Sequence, residues 1–342
     1  MALDRFFGRF RSKEQEGLGT QHRRELFGDT KRDAKRGSYF GENLTGRSGG
    51  EAEILMRTSE AHLPQDAASV ELFTVWVDGE QIDIPLFAIA DGVSMMDYKT
   101  VAVDSGTASR VAVYSAIESF RYSLQQSQNI LPMLFPGRQI QVEDEEGVRK
   151  ELAIYSEDES EDPTYEAGGQ LALDAAEYAA LRLDVVANNH KEKTGHDFLG
   201  QTTLQMGLVI PHPDARGSSR IMVYTIGSAN DTGLLYLGQT NGSEVSSVIP
   251  PGEQGGVFLM HGMGNHSMAD YLRENVLTVT GTVCAVTSDG IKGDRNGETD
   301  AQERVQLGSD VGSAARALRR KAQLGGNKDD ITAVILKAPR LK

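Results

Sequence analysis

Apolar positions along this chain fall into short runs that stop on an acid or a glycine, and into longer stretches with helical spacing. Leu86-Phe87-Ala88-Ile89-Ala90 runs without a polar residue into Asp91-Gly92. An apolar run of about five residues bounded by glycine reads as a buried strand, which places Asp91 where the strand leaves the core. The pattern recurs where Val283-Cys284-Ala285-Val286-Thr287-Ser288 meets Asp289-Gly290, and Asp329-Asp330 stands just ahead of the apolar run 331–336. A carboxylate fixed at a strand edge is a good ligand for a hard cation, and three such edges from distant segments can meet in one site.

The remaining pattern predicts the elements between these edges. Residues 70–77, then Asp78-Gly79, then Ile82, Ile84 and Leu86 read as a hairpin with an Asp-Gly turn. In 107–126 the apolar residues Val113, Ile117, Phe120 and Leu124 recur at helical spacing, as do Leu173, Ala176, Ala180, Leu183 and Val186 in 171–188. Strands are predicted at 204–210, 220–226 and 234–237. A helix is predicted at 310–324, with Ala315, Leu318 and Ala322 inward and Gly325-Gly326 as its stop. The glycine-rich stretch 251–264 carries His261, with His266 beyond, and reads as a loop rather than a metal site because hard cations prefer oxygen.

Charge divides the chain. Its 342 residues carry a net charge of −14, which argues against general affinity for nucleic acid or anionic lipid. Residues 1–50 nevertheless hold 11 Lys/Arg against 7 Asp/Glu, a balance of +4 that leaves −18 for the rest. With few apolar residues after Phe10, 1–50 is expected to be a basic, disordered tail and 51–342 the folded domain. Residues 138–166 hold 11 acids against 3 bases and are expected to be a solvated acidic insertion. The single cysteine, Cys284, lies in an apolar strand, which fits a buried thiol in a reducing compartment. No apolar segment approaches the roughly 20 residues needed to span a bilayer, so a soluble, cytoplasmic protein without a transmembrane segment is expected.

With those residues in place, the order of motifs resembles the metal-dependent protein phosphatases of the PPM (type 2C) family over roughly 54–338. The resemblance is carried by Gln65-Asp66, Ile89-Ala90-Asp91-Gly92, Gly200-Gln201-Thr202-Thr203, Ile226-Gly227-Ser228, Thr287-Ser288-Asp289-Gly290 and Lys328-Asp329-Asp330-Ile331-Thr332. It implies an α+β fold, a four-layer α-β-β-α sandwich of two antiparallel sheets flanked by helices. It also implies two Mn²⁺ or Mg²⁺ ions, with Asp91 bridging them, Gly92 offering its carbonyl, Asp289 and Asp329 completing one shell, and Asp66 holding bound waters. A water, not a side chain, would attack phosphoserine or phosphothreonine in a phosphorylated protein substrate made by a cognate serine/threonine kinase.

The sequence departs from the family pattern at four places. The position of the phosphate-binding arginine is Ala61, the nearest alternative being Arg57; the histidine found after Asp-Gly in some members is Val93; the aspartate of the Gly-Asp-Ser motif is Ser228, with Asp231 or Asp294 as substitutes; and the terminal asparagine is Asp330. Ser228 and the absent arginine favour the rival expectation of a pseudophosphatase, a phosphoprotein-binding or regulatory module without turnover. A phosphodiesterase or other metal hydrolase on the same site is a third alternative.

Overall fold

A computed structural model of the chain describes residues 23–27, 39–57, 65–93, 99–143, 147–155, 162–212, 217–227, 233–239, 242–247, 257–292, 307, 310–325 and 329–341. In chain order the elements are β1 (Arg23–Phe27), β2 (Tyr39–Thr45), β3 (Glu51–Arg57), β4 (Ala67–Val77), β5 (Glu80–Ala90), β6 (Gly92–Val93), α1 (Lys99–Gln126), α2 (Ile130–Leu134), β7 (Ile140–Glu143), β8 (Arg149–Leu152) and α3 (Pro163–Thr194). There follow β9 (Gln201–Thr202), β10 (Leu204–Pro211), β11 (Ser218–Ile226), β12 (Leu234–Gln239), β13 (Gly242–Ser247), β14 (Leu259–Met260), β15 (Arg273–Thr280), β16 (Val283–Thr287), α4 (Val311–Gly325) and β17 (Ile331–Lys337).

The strands form two large antiparallel sheets. One runs β15-β11-β10-β5-β4-β7-β8, with β1 also paired to β4; the other runs β13-β12-β16-β17-β3-β2; a small third sheet runs β14-β9-β6. The Asp78-Gly79 turn closes the β4–β5 hairpin as expected. Both residues have positive φ, 51° and 80°, the backbone that a two-residue turn requires if it is to match strand twist.

The second half of β5, residues 84–90, reads as continuously apolar because both of its faces are buried. Phe87 and Ile89 point between the sheets, where they meet Ile54, Met56, Val286, Val334 and Leu336; Leu86, Ala88 and Ala90 point the other way, into a core shared with α1 and α3. On the far side of the second sheet, Ala285, Ile331, Ala333 and Ile335 pack against Ala314, Leu318 and Ala322 of α4. The order is therefore helices, sheet, sheet, helix, the α-β-β-α sandwich implied by the motifs. Among the described residues no helix is long and apolar enough to cross a membrane.

Two readings of the sequence need correction. The first fifty residues are not wholly a tail: β1 pairs with the start of β4, and β2 pairs along all of β3 with Leu44 buried. Apolar counting overlooks such edge strands, because backbone hydrogen bonds and a single buried side chain suffice to attach them. Residues 1–22 and 28–38 lie outside the described residues. The acidic segment also contributes structure. Its β7–β8 hairpin extends the first sheet past β4, with Ile140 and Val142 in the core. Asp162 then caps α3 by accepting from Tyr165 N at 3.1 Å. The alternation Ile140-Gln141-Val142-Glu143 was the available signal, outweighed by the acids around it. Residues 156–161 lie outside the described residues.

Candidate active site

Four chain segments bring acids to one end of the sandwich. Asp66 immediately precedes β4, Asp91 joins β5 to β6, Asp289 opens a 3₁₀ turn just after β16, and Asp329-Asp330 lead into β17. Because β4 pairs with β5, and β16 with β17, the strand ends that carry these acids are adjacent by register: Ala67 lies opposite Ala90, and Thr287 opposite Ala333.

Specific bonds hold these segments. Thr332 Oγ1 donates to Asp66 Oδ2 at 2.6 Å, and Gln65 N donates to Asp330 Oδ2 at 2.7 Å, so the entrance of β4 in one sheet is stitched to the entrance of β17 in the other. Asp330 N donates in turn to Asp329 Oδ1 at 2.8 Å. The two acid loops of the second sheet are tied by Ser288 N donating to Thr332 O at 2.7 Å, and Thr332 N to Ser288 Oγ at 3.0 Å. At Asp91 the backbone is gripped from the β9–β10 segment. Thr203 N and Thr202 Oγ1 donate to Asp91 O at 2.9 and 2.8 Å, and Asp91 N donates to Thr203 Oγ1 at 3.1 Å.

Glycines permit the closest approaches. A Cβ on Gly290 would lie 1.8 Å from Asp330 O, and one on Gly92 would lie 2.8 Å from Ser105 O. The Asp-Gly pairs are thus required here for contact rather than for turn conformation alone.

Electrostatically the acids form one group. Burial, then the charge of Asp330 and more weakly that of Asp329, push the Asp66 carboxyl well above the ordinary carboxylate range, against the pull of the Thr332 hydroxyl. Burial, then Asp66, Asp289 and Asp329, do the same to Asp91. Like charges crowded in poorly hydrated surroundings favour protonation of some members. Among the described residues, no three His, Cys, Asp or Glu side chains stand close enough together to hold a metal ion as they are. The donor chemistry nonetheless fits hard divalent cations, being all oxygen and all acidic on strand ends. A cation would also supply the neutralisation that protons supply otherwise.

The structure therefore gathers Asp66, Asp91, Asp289 and Asp329, with Gly92 beside them, and adds Asp330 and Thr332, to which the motifs assign no role. Thr332 carried a usable signal, since it follows the acid pair on the strand that delivers it. Arg57 ends β3 and lies opposite Ile331, at the same sheet end as Asp329. His261 stands apart with Asp197 and His196 beyond the end of α3. Ala61, Ser228, Asp231 and Asp294 lie outside the described residues.

No protein-family model matches the sequence, and no curated protein matches it. Solved structures of PPM-type serine/threonine phosphatases are similar to it in fold. The PPM Ser-Thr phosphatase MsPP from Mycobacterium smegmatis, in complex with cacodylate, is 17% identical over 89% of this chain and 100% of its own, with a TM-score of 0.40. Serine-threonine phosphatase 2C from Toxoplasma gondii is 12% identical over 88% and 99%, with a TM-score of 0.45. The catalytic domain of the serine threonine protein phosphatase PstP, in complex with 2 manganese ions, is 14% identical over 83% and 98%, with a TM-score of 0.41.

Proposed function

We propose that this chain is a metal-dependent protein serine/threonine phosphatase that hydrolyses phosphoserine and phosphothreonine, working in the cytoplasm opposite a serine/threonine kinase. The observation that carries this reading is the meeting of Asp66, Asp91, Asp289 and Asp329, from four segments of both sheets, in one acidic cluster. A turn role explains any one of these acids but not their concentration, because gathered carboxylates repel one another and destabilise the fold unless a partner of opposite charge is intended.

In this reading Asp91, the Gly92 carbonyl, Asp289 and Asp329 hold two Mn²⁺ or Mg²⁺ ions. When bound, these supply Lewis-acid charge that acidifies a water and neutralises phosphoryl oxygens. Asp66, fixed by Thr332, orients water at the cluster. Arg57, at the adjacent strand end, is the group for the phosphate oxygens that the missing arginine would otherwise serve, because a guanidinium matches phosphate geometry.

The test is hydrolysis of an aryl phosphate and of a phosphothreonine peptide by the purified chain with Mn²⁺, Mg²⁺ or chelator. Turnover that requires Mn²⁺ or Mg²⁺ and is lost in Asp91→Asn supports the reading. Metal binding without turnover would instead make the protein a non-hydrolysing phosphoprotein-binding module.

A further inference from the structure

Helix α1 carries several buried polar side chains on a surface that otherwise builds core. Asp104, Ser105, Ser109, Ser115 and Ser119 are all buried. A buried hydroxyl that is not matched to a partner is costly, so where each one goes is informative. Among the described residues Ser115 and Ser119 find no hydrogen-bond partner. The three residues nearer the start of the helix reach the segments at Gln65, at Val93 and at 199–201.

Ser109 Oγ donates to Gln65 O, the carbonyl directly before Asp66, with Gly106 O at 3.1 Å as the local alternative. Ser105 Oγ donates to Val93 O at 2.7 Å, just after Gly92, and accepts from Gln201 N at 3.4 Å. Asp104 Oδ2 accepts from Leu199 N at 3.0 Å, and its carbonyl lies only 2.3 Å from where a Cβ on Gly200 would sit. The segment thus anchored at Leu199 and Gln201 continues into Thr202 and Thr203, which grip the Asp91 backbone.

We infer that Ser105 and Ser109 are positioning residues: spaced one helical turn apart on a rigid helix, they set the position of Asp66 relative to the Asp91-Gly92 turn. Neither touches a reacting group. Both act through backbone carbonyls beside the acids, and a displacement of a few tenths of an ångström at such anchors is enough to spoil the convergence of oxygen ligands. The cation readout below rests on the proposed phosphatase reading; the amide-exchange readout does not.

The helix supplies its own controls, since Ser115→Ala and Ser119→Ala make the same chemical change at the same depth away from the acids. In the full chain, Ser105→Ala and Ser109→Ala are expected to weaken calorimetric Mn²⁺ binding by about tenfold or more, while the two control variants stay within about twofold of wild type. In metal-free protein, hydrogen exchange should quicken at Gly92 and Gln201 in Ser105→Ala and at Asp66 in Ser109→Ala, with the β10 amides unchanged. Equal losses in all four variants, or unchanged exchange at those amides, would overturn the inference. If wild type takes up no Mn²⁺, the phosphatase reading falls, and the exchange pattern alone decides whether the serines position these segments.

Discussion

Thr332 Oγ1 and Asp66 Oδ2 are 2.6 Å apart although 266 positions separate them in the chain. The bond crosses from the second sheet to the first, and both residues are buried. It links the two sheets directly at the acid cluster, and it supplies a donor to a carboxyl that also faces other acids.

Thr332→Val keeps the shape of the side chain and removes only this donor. The expected cost is about 1–3 kcal/mol, the penalty of leaving a buried acceptor short of a partner, read as a lower urea midpoint with an unchanged slope. Turnover should fall mainly in kcat, because Asp66 is proposed to act on water rather than on substrate binding. An unchanged urea midpoint would mean that the bond contributes nothing net.

Asp91→Asn separates function from stability. Removing one acid from a repelling group should raise the melting temperature of the metal-free protein while abolishing Mn²⁺ uptake. Asp289→Asn, at the edge of the cluster, should weaken one ion more than the other. Paired melting and calorimetry of both variants, with and without Mn²⁺, check this. A fall in metal-free stability for Asp91→Asn would show that the carboxyl serves the fold rather than a ligand.

The strand-edge acids were legible in the sequence because an apolar run that stops on Asp-Gly encodes both burial and exit from the core. The hairpin at Asp78-Gly79 was legible for the same local reason. The bonds that make a site of these acids were not legible. Thr332 to Asp66, Gln65 to Asp330 and Ser109 to Gln65 join residues distant in sequence, and no periodicity marks a serine that faces a loop rather than the core. Strands β1 and β2 were missed because an edge strand needs few apolar residues, and β7–β8 because surrounding acids hid a short alternation.

Truncation to residue 51 should be damaging. It removes β2 from the whole length of β3, exposes the surface that Leu44 covers, and strips β1 from β4. Burial of a leucine alone is worth about 1.5–3 kcal/mol, and two strand ladders are lost with it. A melting temperature lowered by several degrees, or insoluble protein, is the expected result. Unchanged melting would return these segments to the status of a tail.

Cys284 should be inert in the native state. It lies between the two sheets, and burial pushes its thiol up to about 12, so neither access nor thiolate is available. Native protein treated with iodoacetamide at neutral pH should show no mass increase, and denatured protein one adduct. Rapid native labelling would mean that the sheets separate readily at β16.

Gly290→Ala tests whether the acid loops must touch. The added methyl would sit 1.8 Å from Asp330 O and 3.2 Å from Ile331 Cγ1, and the nearer obstacle is backbone that no rotamer change can clear. The 3₁₀ turn at Asp289 must therefore retreat from the β17 entrance, carrying Asp289 away from Asp329. The matched control is Gly169→Ala in α3, where among the described residues the new methyl meets only Glu274 Oε1 at 3.7 Å and the loss of backbone freedom in the unfolded chain should stabilise by about 0.4–1 kcal/mol. Turnover should fall at least about tenfold in Gly290→Ala, equivalent to roughly 1.4 kcal/mol of barrier, with Mn²⁺ affinity weakened in step, while Gly169→Ala keeps both. Wild-type Mn²⁺ affinity and turnover in Gly290→Ala would mean that the close approach of these two loops is incidental to the site.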